Sequence, residues 1–424
     1  MNILFVHNNF PAQFVRMARA LVQIPGHKVA AIGSETARSM AGVELLRYKI
    51  PEMKVNGVHR FARRFEHECR RAEQVLFAAS ALRGSGFEPD VVVVHCGWGE
   101  NLALRSIFPK ARFIIYCEYY YRGEGQDVNF DDQYGVFGAD GLTGVHCNNV
   151  STLLALADCD AGISPTHWQR STFPVEFHDK IHVIHEGIDT QLARPHARAR
   201  FQLPGGRWLT RRDEVVTFAT RSLEPLRGFS TLTRALPRIL RERPNAEIVV
   251  VGADRAAYGP GAPDGGGWKT HCLREALLQL DLSRVHFLDF LPYDRFLNLL
   301  QVSSAHLYLT YPFVLSWSLT EAMSVGCKIV GSDTSPVRED IKHGESGLLA
   351  AFNDERAVAD SVISLLAEPE RWDELGQAAR RTIVESYDFR DCVPRALDLL
   401  WPNPGREPAA FGAAASPQYS TMLQ

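Results

Sequence analysis

The sequence lacks any apolar run long enough to cross a membrane, which needs about 18 residues. It also lacks a Cys-x-x-Cys pair, since its eight cysteines are scattered and several lie in apolar segments. This distribution is typical of buried, reduced thiols in a cytoplasmic protein and argues against structural zinc. The segment MNILFVHNNF has neither a basic region nor a small-residue cleavage site, so we expect a buried strand there and not a signal peptide.

An excess of one charge is lacking too. The formal net charge is -3, from 46 Lys and Arg against 49 Asp and Glu, which gives no reason to expect nucleic-acid binding. The 424 residues exceed what one hydrophobic core usually supports. We therefore predict two domains joined by a linker, followed by a last helix and a disordered tail. The predicted bounds are 1–190, 191–212 (linker), 213–388, 389–401 (helix) and 402–424 (tail).

The first thirty residues alternate between strand and helix patterns. Asn2 to Val6 is apolar and strand-like, Val15 to Val22 has helical spacing, and Lys28 to Ile32 is a second strand. This order predicts a doubly wound α/β domain. Gln13 lies in the loop after the first strand, where its amide either contacts a substrate hydroxyl or is an ordinary polar loop group.

Two further strands of this half end in polar residues. Val91 to Val94 leads into the loop His95-Cys96-Gly97-Trp98-Gly99-Glu100, and Arg112 to Tyr116 leads into Cys117-Glu118. Because the carboxyl ends of neighbouring parallel strands face one crevice, we expect His95 and Glu118 to lie at a site there. Gly97 and Trp98 belong to the same predicted substrate-binding loop. For His95, a role in hydrogen bonding to the site is favoured over direct catalysis.

The stretch from Tyr308 to Leu349 reads as strand, turn, helix, strand, turn and helix. Ser316 and Ser318 are both candidate caps of the first helix. A loop that enters a helix N-terminus presents unpaired amides and a positive dipole end, which suit an anionic diphosphate. The alternative is an ordinary α/β turn without a ligand.

This stretch resembles the C-terminal signature of retaining glycosyltransferase family 4, whose members have the GT-B fold. That signature combines a Glu-x7-Glu loop, a strand of the form x-G-x-P-V-V-x-S and a turn of the form E-x-x-x-x-G-x-x-G. The positions that match in register are Glu321-Ala322-Met323, Gly326, Ile329 to Ser332, Glu339 to Ile341, Gly344 and Gly347. The chain departs from it at the first glutamate, which is Phe313 here, and at two loop glycines, which are Val314 and Ser316.

The resemblance continues elsewhere in the chain and covers about residues 2 to 400. The segment His185 to Thr190 is similar to the family's interdomain hinge, with Gly187 free to adopt a positive φ. The segment Thr220 to Gly228 is similar to a diphosphate-binding pattern, G-R-x-x-x-x-K-G, with Arg227 in place of the lysine. The segments around His95 and Glu118 are similar to those of a bacterial subgroup, so we identify the chain as a divergent bacterial member.

The resemblance implies two Rossmann-like doubly wound domains that face a cleft, with the last helix crossing back to the first domain. It also implies a donor that is a nucleotide-diphosphate sugar, with no cofactor and no metal. Arg221 and Arg227 would hold the diphosphate, since guanidinium groups stabilise a leaving phosphate without a metal ion. The backbone amides of Leu315, Ser316, Trp317 and Ser318 would assist, Glu321 would bind the ribose, and the backbone at Leu291 would contact the base. Glu118 would bind sugar hydroxyls or stabilise developing positive charge on the sugar.

The predicted reaction is retaining transfer of a hexose to a hydroxyl of a glycan, a lipid-linked saccharide or a small molecule. An inverting or epimerase-type enzyme of the same fold, with His95 or Glu118 as base, is one alternative. A catalytically inactive sugar-binding protein is the other, because Phe313 replaces a glutamate.

A basic helical segment, His59 to Leu82, is a candidate for peripheral contact with the inner face of the membrane or with an anionic acceptor. Its basic residues are interrupted by glutamates, so a solvated helix face is the favoured interpretation. The five arginines concerned are Arg60, Arg63, Arg64, Arg70 and Arg71.

Overall fold

The computed structural model describes residues 1–50, 52, 56–276 and 280–401. It divides into two compact units, each built around a parallel sheet. The N-domain comprises Met1–Gly187 together with 389–401, and the C-domain comprises Ile188–Asp388. The predicted tail, 402–424, lies outside the described residues.

The N-domain has a seven-stranded parallel sheet with the order β3-β2-β1-β4-β5-β6-β7. Its central strands are continuous apolar runs, as expected where helices cover both faces of a sheet. The strand 43–48 is not among the predicted elements, because its alternation of apolar and charged residues is short and it lies at the sheet edge. The strands are β1 (Asn2–Val6), β2 (Lys28–Ser34), β3 (Val43–Tyr48), β4 (Val91–His95), β5 (Arg112–Tyr116), β6 (Ala161–Ser164) and β7 (Ile181–Val183).

Among the described residues, six α-helices of the N-domain precede the C-domain. The predicted helix 15–22 has the predicted bounds. The helix after the His95 to Glu100 loop begins only at Leu104, because residues 101–103 form a turn. The helices are α1 (Val15–Val22), α2 (Arg63–Gly84), α3 (Leu104–Ile107), α4 (Ala139–Cys147), α5 (Val150–Asp158) and α6 (His167–Thr172).

The C-domain has a six-stranded parallel sheet with the order β12-β11-β10-β13-β14-β15. An antiparallel hairpin of two short strands precedes it, within the segment 191–212 that the sequence predicts to be a linker. Phe201 and Leu209 of this hairpin are buried in the core of the C-domain, which explains why the segment is ordered. The strands are β8 (Arg200–Gln202), β9 (Trp208–Thr210), β10 (Val215–Ser222), β11 (Glu247–Ala253), β12 (Val285–Leu288), β13 (Ala305–Tyr308), β14 (Ile329–Ser332) and β15 (Leu348–Ala350).

The helices of the second half follow most of these strands in turn. The last of them belongs to the N-domain. Within the described ranges, none of the helices is both long enough and apolar enough to span a bilayer. The helices are α7 (Phe229–Glu242), α8 (Trp268–Ala276), α9 (Tyr293–Val302), α10 (Trp317–Ser324), α11 (Ser335–Asp340), α12 (Glu355–Ala367), α13 (Asp373–Ser386) and α14 (Phe389–Leu400).

Helix α14 begins at the predicted Phe389 and ends at Leu400, one residue before the predicted end, and it packs against α1, so the chain returns to its first domain as predicted. Leu397 and Leu400 of α14 are buried in the same cluster as Phe5 of β1. Gly187, the last residue before the C-domain, has a φ of +86°. A Cβ atom at this position would lie 2.4 Å from the Cα of Phe389, so only glycine fits there.

Candidate functional site

Three strands of the N-domain end at one edge of its sheet. β1 lies between β2 and β4, so the strand order reverses there, and crevices form at the carboxyl ends of strands beside such a point. The predicted residues Gln13, His95 and Glu118 follow or end β1, β4 and β5. They are therefore supplied by three adjacent loops of one domain.

Glu118 is the centre of this group. Its Oε1 accepts a hydrogen bond from Gln13 Nε2 at 2.9 Å. Its Oε2 lies 3.2 Å from His95 Nε2. The Glu118 side chain is 28% exposed and the His95 side chain 4% exposed. Gln13 and His95 thus hold the carboxylate in one orientation while part of it stays accessible to solvent.

The backbone determines which nitrogen of His95 carries the proton. The Gly97 N–H donates to His95 Nδ1 at 3.0 Å, so the neutral ring carries its proton on Nε2 and donates it to Glu118. Burial opposes protonation of His95, but the hydrogen bond and negative charge of Glu118 outweigh it and raise the His95 pKa. The ring of Trp98, 37% exposed, lies 5.7 Å from the His95 ring.

Helix α2 braces the loop that follows His95. Arg71 is buried and donates to the carbonyl oxygen of Trp98 at 2.9 Å. Arg64 donates to the carbonyl oxygen of Gly97 at 3.1 Å. These two arginines therefore support the predicted substrate-binding loop from inside the domain, and they are not part of a solvated helix face.

Gly99 sets how closely this loop approaches α2. Its φ is +82°, and a Cβ atom there would lie 2.5 Å from the Cβ of Glu68. Glu68 is itself buried and forms an ion pair with Arg64 at 2.9 Å. The glycine is required because any side chain would push the loop away from the helix.

The other arginines of this segment differ in their surroundings. Arg60 pairs with Asp140 and Arg70 pairs with Glu66, each at 2.7 Å. Arg63 is exposed. Four of the five arginines thus bond to other groups of the protein, Arg60 and Arg70 in pairs at the surface, and contact with a membrane or an anionic acceptor stays a prediction.

His7 belongs to this group but is absent from the sequence prediction. It follows β1 directly, and its ring lies edge-on to the His95 ring with centroids 5.3 Å apart. Its Nδ1 accepts the N–H of Asn9 at 2.9 Å. Burial, and then the neighbouring His95, hold the pKa of His7 well below its ordinary value, so the ring is neutral. The sequence feature that could have identified His7 is its position directly after a buried strand. The same feature identified His95 and Glu118.

In the C-domain, Arg227 lies in the turn between β10 and α7 and is only 4% exposed. Its Nη1 donates to Thr310 Oγ1 and to the carbonyl oxygen of Val314, both at 3.0 Å. The turn ends at Gly228, whose φ of +75° is left-handed. Arg227 therefore fastens the turn after β10 to the loop after β13.

Arg221 has a different environment, since it is exposed. Five residues separate Arg221 from Arg227, one more than in the family pattern to which the sequence was compared. The pairing of β10 with β11 is irregular between Ala219 and Ser222. This irregularity accommodates an additional residue at the end of β10.

The loop before α10 is held by hydroxyl groups. The Ser316 N–H donates to the Tyr308 hydroxyl at 2.7 Å, and Ser316 Oγ accepts the N–H of Ser318 at 3.3 Å. Ser316 is therefore the cap of α10, and of the two predicted candidates Ser318 is wrong because it lies inside the helix. Leu315 and Trp317 are partly exposed beside it.

The remaining predicted residues of the C-domain are buried. Glu321 lies on α10 and is 8% exposed. Leu291 follows β12, and its side chain packs into the domain core, so only its backbone is available to a ligand. Phe313, at the position of the family's first glutamate, packs edge-on against Tyr258 with ring centroids 5.2 Å apart.

The structure thus gathers Gln13, His95, Glu118 and the loop with Gly97 and Trp98 in the N-domain. It gathers Arg227 and the loop before α10 in the C-domain. Within the described residues, no three His, Cys, Asp or Glu side chains are grouped so that they could hold a metal ion.

Two family models match the chain, one in each half. Residues 25–193 match the "Glycosyl transferase family 4 group". Residues 207–382 match the "Glycosyl transferases group 1". Among curated relatives, the alpha-maltose-1-phosphate synthase of Mycolicibacterium smegmatis is 26% identical over 244 residues, which are 54% of this chain and 58% of that protein. The chain spans about half the length of most curated relatives that it matches, with extremes of 25% and 62%.

Solved structures share the architecture. Sucrose-phosphate synthase of Thermosynechococcus elongatus superposes with a TM-score of 0.71 at 16% identity, over 94% of this chain and 98% of that chain. Anabaena HepE in complex with UDP-glucose superposes with a TM-score of 0.64 at 15% identity, over 95% and 100%. The two parallel-sheet domains therefore have the GT-B fold. With both halves matched by glycosyltransferase models, the chain belongs to glycosyltransferase family 4.

Proposed function

We propose that this protein is a glycosyltransferase that moves a hexose from a nucleotide-diphosphate sugar to a hydroxyl group of a glycan, a lipid-linked saccharide or a small molecule. One observation carries the proposal. Arg227 bridges the turn after β10 and the loop that enters α10, so a cation and the amides of a helix N-terminus lie on joined segments. This combination suits a diphosphate. Family membership and the complex of HepE with UDP-glucose support a nucleotide-sugar donor.

The chemistry requires stabilisation of the leaving diphosphate as the sugar bond breaks. Arg227, with Arg221, supplies positive charge for this purpose, so that no metal ion is needed. We further propose that the acceptor hydroxyl attacks the face of the sugar that the diphosphate leaves, with the departing phosphate oxygen accepting the proton. The anomeric configuration is then retained, and the protein positions the reactants and stabilises charge.

Glu118 supplies the carboxylate for the sugar in this proposal. Its two oxygens are oriented by Gln13 and His95, and its side chain stays 28% exposed whereas that of His95 is buried. An oriented carboxylate can accept hydrogen bonds from sugar hydroxyls and can stabilise positive charge on the sugar ring.

The pairing of His95 with Glu118 also favours a second candidate, an inverting or epimerase-type reaction in which Glu118 is a general base. The third candidate is a sugar-binding protein without activity. It is favoured by the packing of Phe313 against Tyr258, because a phenylalanine accepts no hydrogen bond from a sugar.

Thermal unfolding with UDP, GDP, UDP-glucose and GDP-mannose tests the proposal, because a ligand that binds only the folded state raises Tm. We expect one nucleotide series to raise Tm and the corresponding sugar donor to be consumed, with a product that keeps the anomeric configuration by NMR. Binding without turnover would favour the binding protein, and an inverted product would favour the second candidate. A protein that binds none of the four contradicts the proposed transfer from a UDP- or GDP-linked hexose.

A further inference from the structure

The turn that carries Arg227 also holds a distant loop of the C-domain through a buried glutamate. Glu224 is 1% exposed, and its Oε2 accepts the backbone N–H groups of Ala257, Tyr258 and Gly259, each at 3.2 Å. Its Oε1 is buried and has no hydrogen-bond partner in the described part of the chain. A buried side chain that accepts hydrogen bonds from three consecutive amides fixes that backbone, so the position of Tyr258 is set by Glu224.

Tyr258 lies directly against the proposed diphosphate cation. Its ring centroid is 5.1 Å from the guanidinium carbon of Arg227, and the Phe313 ring is 5.4 Å from the same atom. Arg227 is 4% exposed whereas Tyr258 is 42% exposed. The two rings and the loop before α10 therefore cover Arg227, and the accessible part of this cluster is the tyrosine.

The phenol of Tyr258 is available to a ligand. No residue within the described ranges forms a hydrogen bond with its hydroxyl, and Phe313 beside it has no polar group. Burial raises the pKa of the Tyr308 phenol, and the neighbouring Arg227 lowers it. Tyr308 is the group that accepts the Ser316 N–H at the start of α10. Tyr258 packs on Arg227 and on Phe313, and Arg227 donates to the carbonyl oxygen of Val314, so Tyr258 lies beside the loop before α10 whose amides are proposed to bind the diphosphate.

We infer that Tyr258 is a further donor-binding residue, which covers Arg227 and offers its hydroxyl to the nucleotide-diphosphate sugar, and that Glu224 is the residue that positions it. The inference rests on the proposed function, in which Arg227 holds the diphosphate. Of the two rings that pack on the guanidinium of Arg227, Phe313 is buried and Tyr258 is exposed, so Tyr258 is the ring that a ligand approaching from solvent would meet. The phenol then provides the polar contact that Phe313 cannot.

Titration of the full-length chain with UDP, GDP, UDP-glucose and GDP-mannose tests the inference by calorimetry. Tyr258→Phe keeps the ring and removes the hydroxyl, and we expect it to raise the Kd of the bound sugar donor about three- to tenfold, the usual worth of one hydrogen bond. Tyr258→Ala should have at least this effect. Glu224→Gln should match Tyr258→Ala, and the double variant should bind no more weakly than Tyr258→Ala alone, because one residue acts through the other.

A structural readout accompanies the binding data. Arg255 is exposed just before the loop that Glu224 holds, so trypsin should cleave Glu224→Gln faster than the wild type.

Two control variants are expected to bind the sugar donor as the wild type does. Trp208→Phe alters another exposed aromatic residue of the C-domain, and Glu247→Gln removes a buried glutamate that pairs with Arg207 and His286 at the opposite end of β11.

The outcomes separate this inference from the proposed function. Normal donor binding by both Tyr258 variants, together with weak binding by Arg227→Ala, overturns the inference and leaves the proposed function intact. Normal binding by Arg227→Ala as well removes the diphosphate role of Arg227 itself. Double-variant effects that add in full would show that Glu224 does not act through Tyr258. A wild-type chain that binds no nucleotide overturns both proposals.

Discussion

His95 Nε2 lies 3.2 Å from Glu118 Oε2, and the backbone N–H of Gly97 occupies the other nitrogen of the same ring. The ring is therefore a donor to the carboxylate, and the carboxylate raises the His95 pKa in return. This mutual dependence between the ends of β4 and β5 makes the pair testable by substitution of either residue.

Glu118→Gln should reduce kcat/KM at least tenfold while the affinity for the free nucleotide stays nearly unchanged, because the carboxylate is proposed to contact the sugar alone. It should also lower the His95 pKa, since the charge and hydrogen bond that raise it are lost. Steady-state kinetics and NMR titration of the histidine measure the two effects. Glu88→Gln, which alters an exposed ion pair with Arg83, is the control. A variant with full activity would remove Glu118 from the reaction.

Glu321→Ala should instead weaken the binding of the bare nucleotide, because Glu321 is proposed to hold the ribose. Calorimetric titration with UDP or GDP, whichever binds the wild type, measures the change against Glu118→Gln. The division of roles is wrong if both variants weaken the bare nucleotide equally.

Arg227→Ala should cost about 2–4 kcal/mol of transition-state stabilisation, the typical worth of one preorganised donor. Because Arg227 also fastens the loop at Val314, we expect a loss of folding stability of about 1–3 kcal/mol as well. Arg221→Ala offers the cleaner test, since Arg221 is exposed and its loss should lower kcat with little change in Tm. Unchanged kcat in both variants would argue against a cationic diphosphate site.

Activity should persist in excess EDTA, because arginines are proposed to neutralise the diphosphate. Initial rates with EDTA, and with Mg²⁺ or Mn²⁺ restored, measure this. A strict requirement for either ion would show that another mechanism operates.

Asp340 should make stability depend on pH. Burial raises its pKa to about 7, although the Tyr387 hydroxyl donates to Oδ1 at 2.6 Å and partly opposes this. Since an unfolded aspartate titrates near pH 4, the folded chain holds one more proton between about pH 4 and 7. The free energy of unfolding should therefore fall as pH rises through this window, by about 2–3 kcal/mol between pH 5 and 7, and level off above it.

Asp340→Asn should remove this slope, so that the free energy of unfolding of the variant no longer falls between pH 5 and pH 7 as that of the wild type does. Urea unfolding at several pH values measures the slope. Asp333→Asn serves as the control, because the hydrogen bond from Arg338 lowers the pKa of Asp333 and its titration lies below this window. A wild-type slope of zero would show that Asp340 is ionised in the folded state.

The sequence by itself determined the architecture. Apolar runs such as Val91 to Val94 must be buried on both faces, so the parallel sheets follow from local pattern. Local pattern also gave the bounds of α1 and the start of α14. It also placed polar residues at strand ends, and therefore brought Gln13, His95 and Glu118 to one edge of a sheet.

Only the tertiary structure decided which of these groups contact one another. The bracing of the Gly97–Trp98 loop by Arg64 and Arg71, and the edge-on packing of His7 on His95, join segments far apart in the chain. Glu224, which accepts hydrogen bonds from the amides of Ala257 to Gly259, also joins segments far apart in the chain. Likewise, only the tertiary structure buries Arg227 beneath Tyr258 while Arg221 stays exposed. Periodicity and spacing report which face of an element is buried, but the partner of a buried charge is set by the packing of elements that the local sequence does not encode.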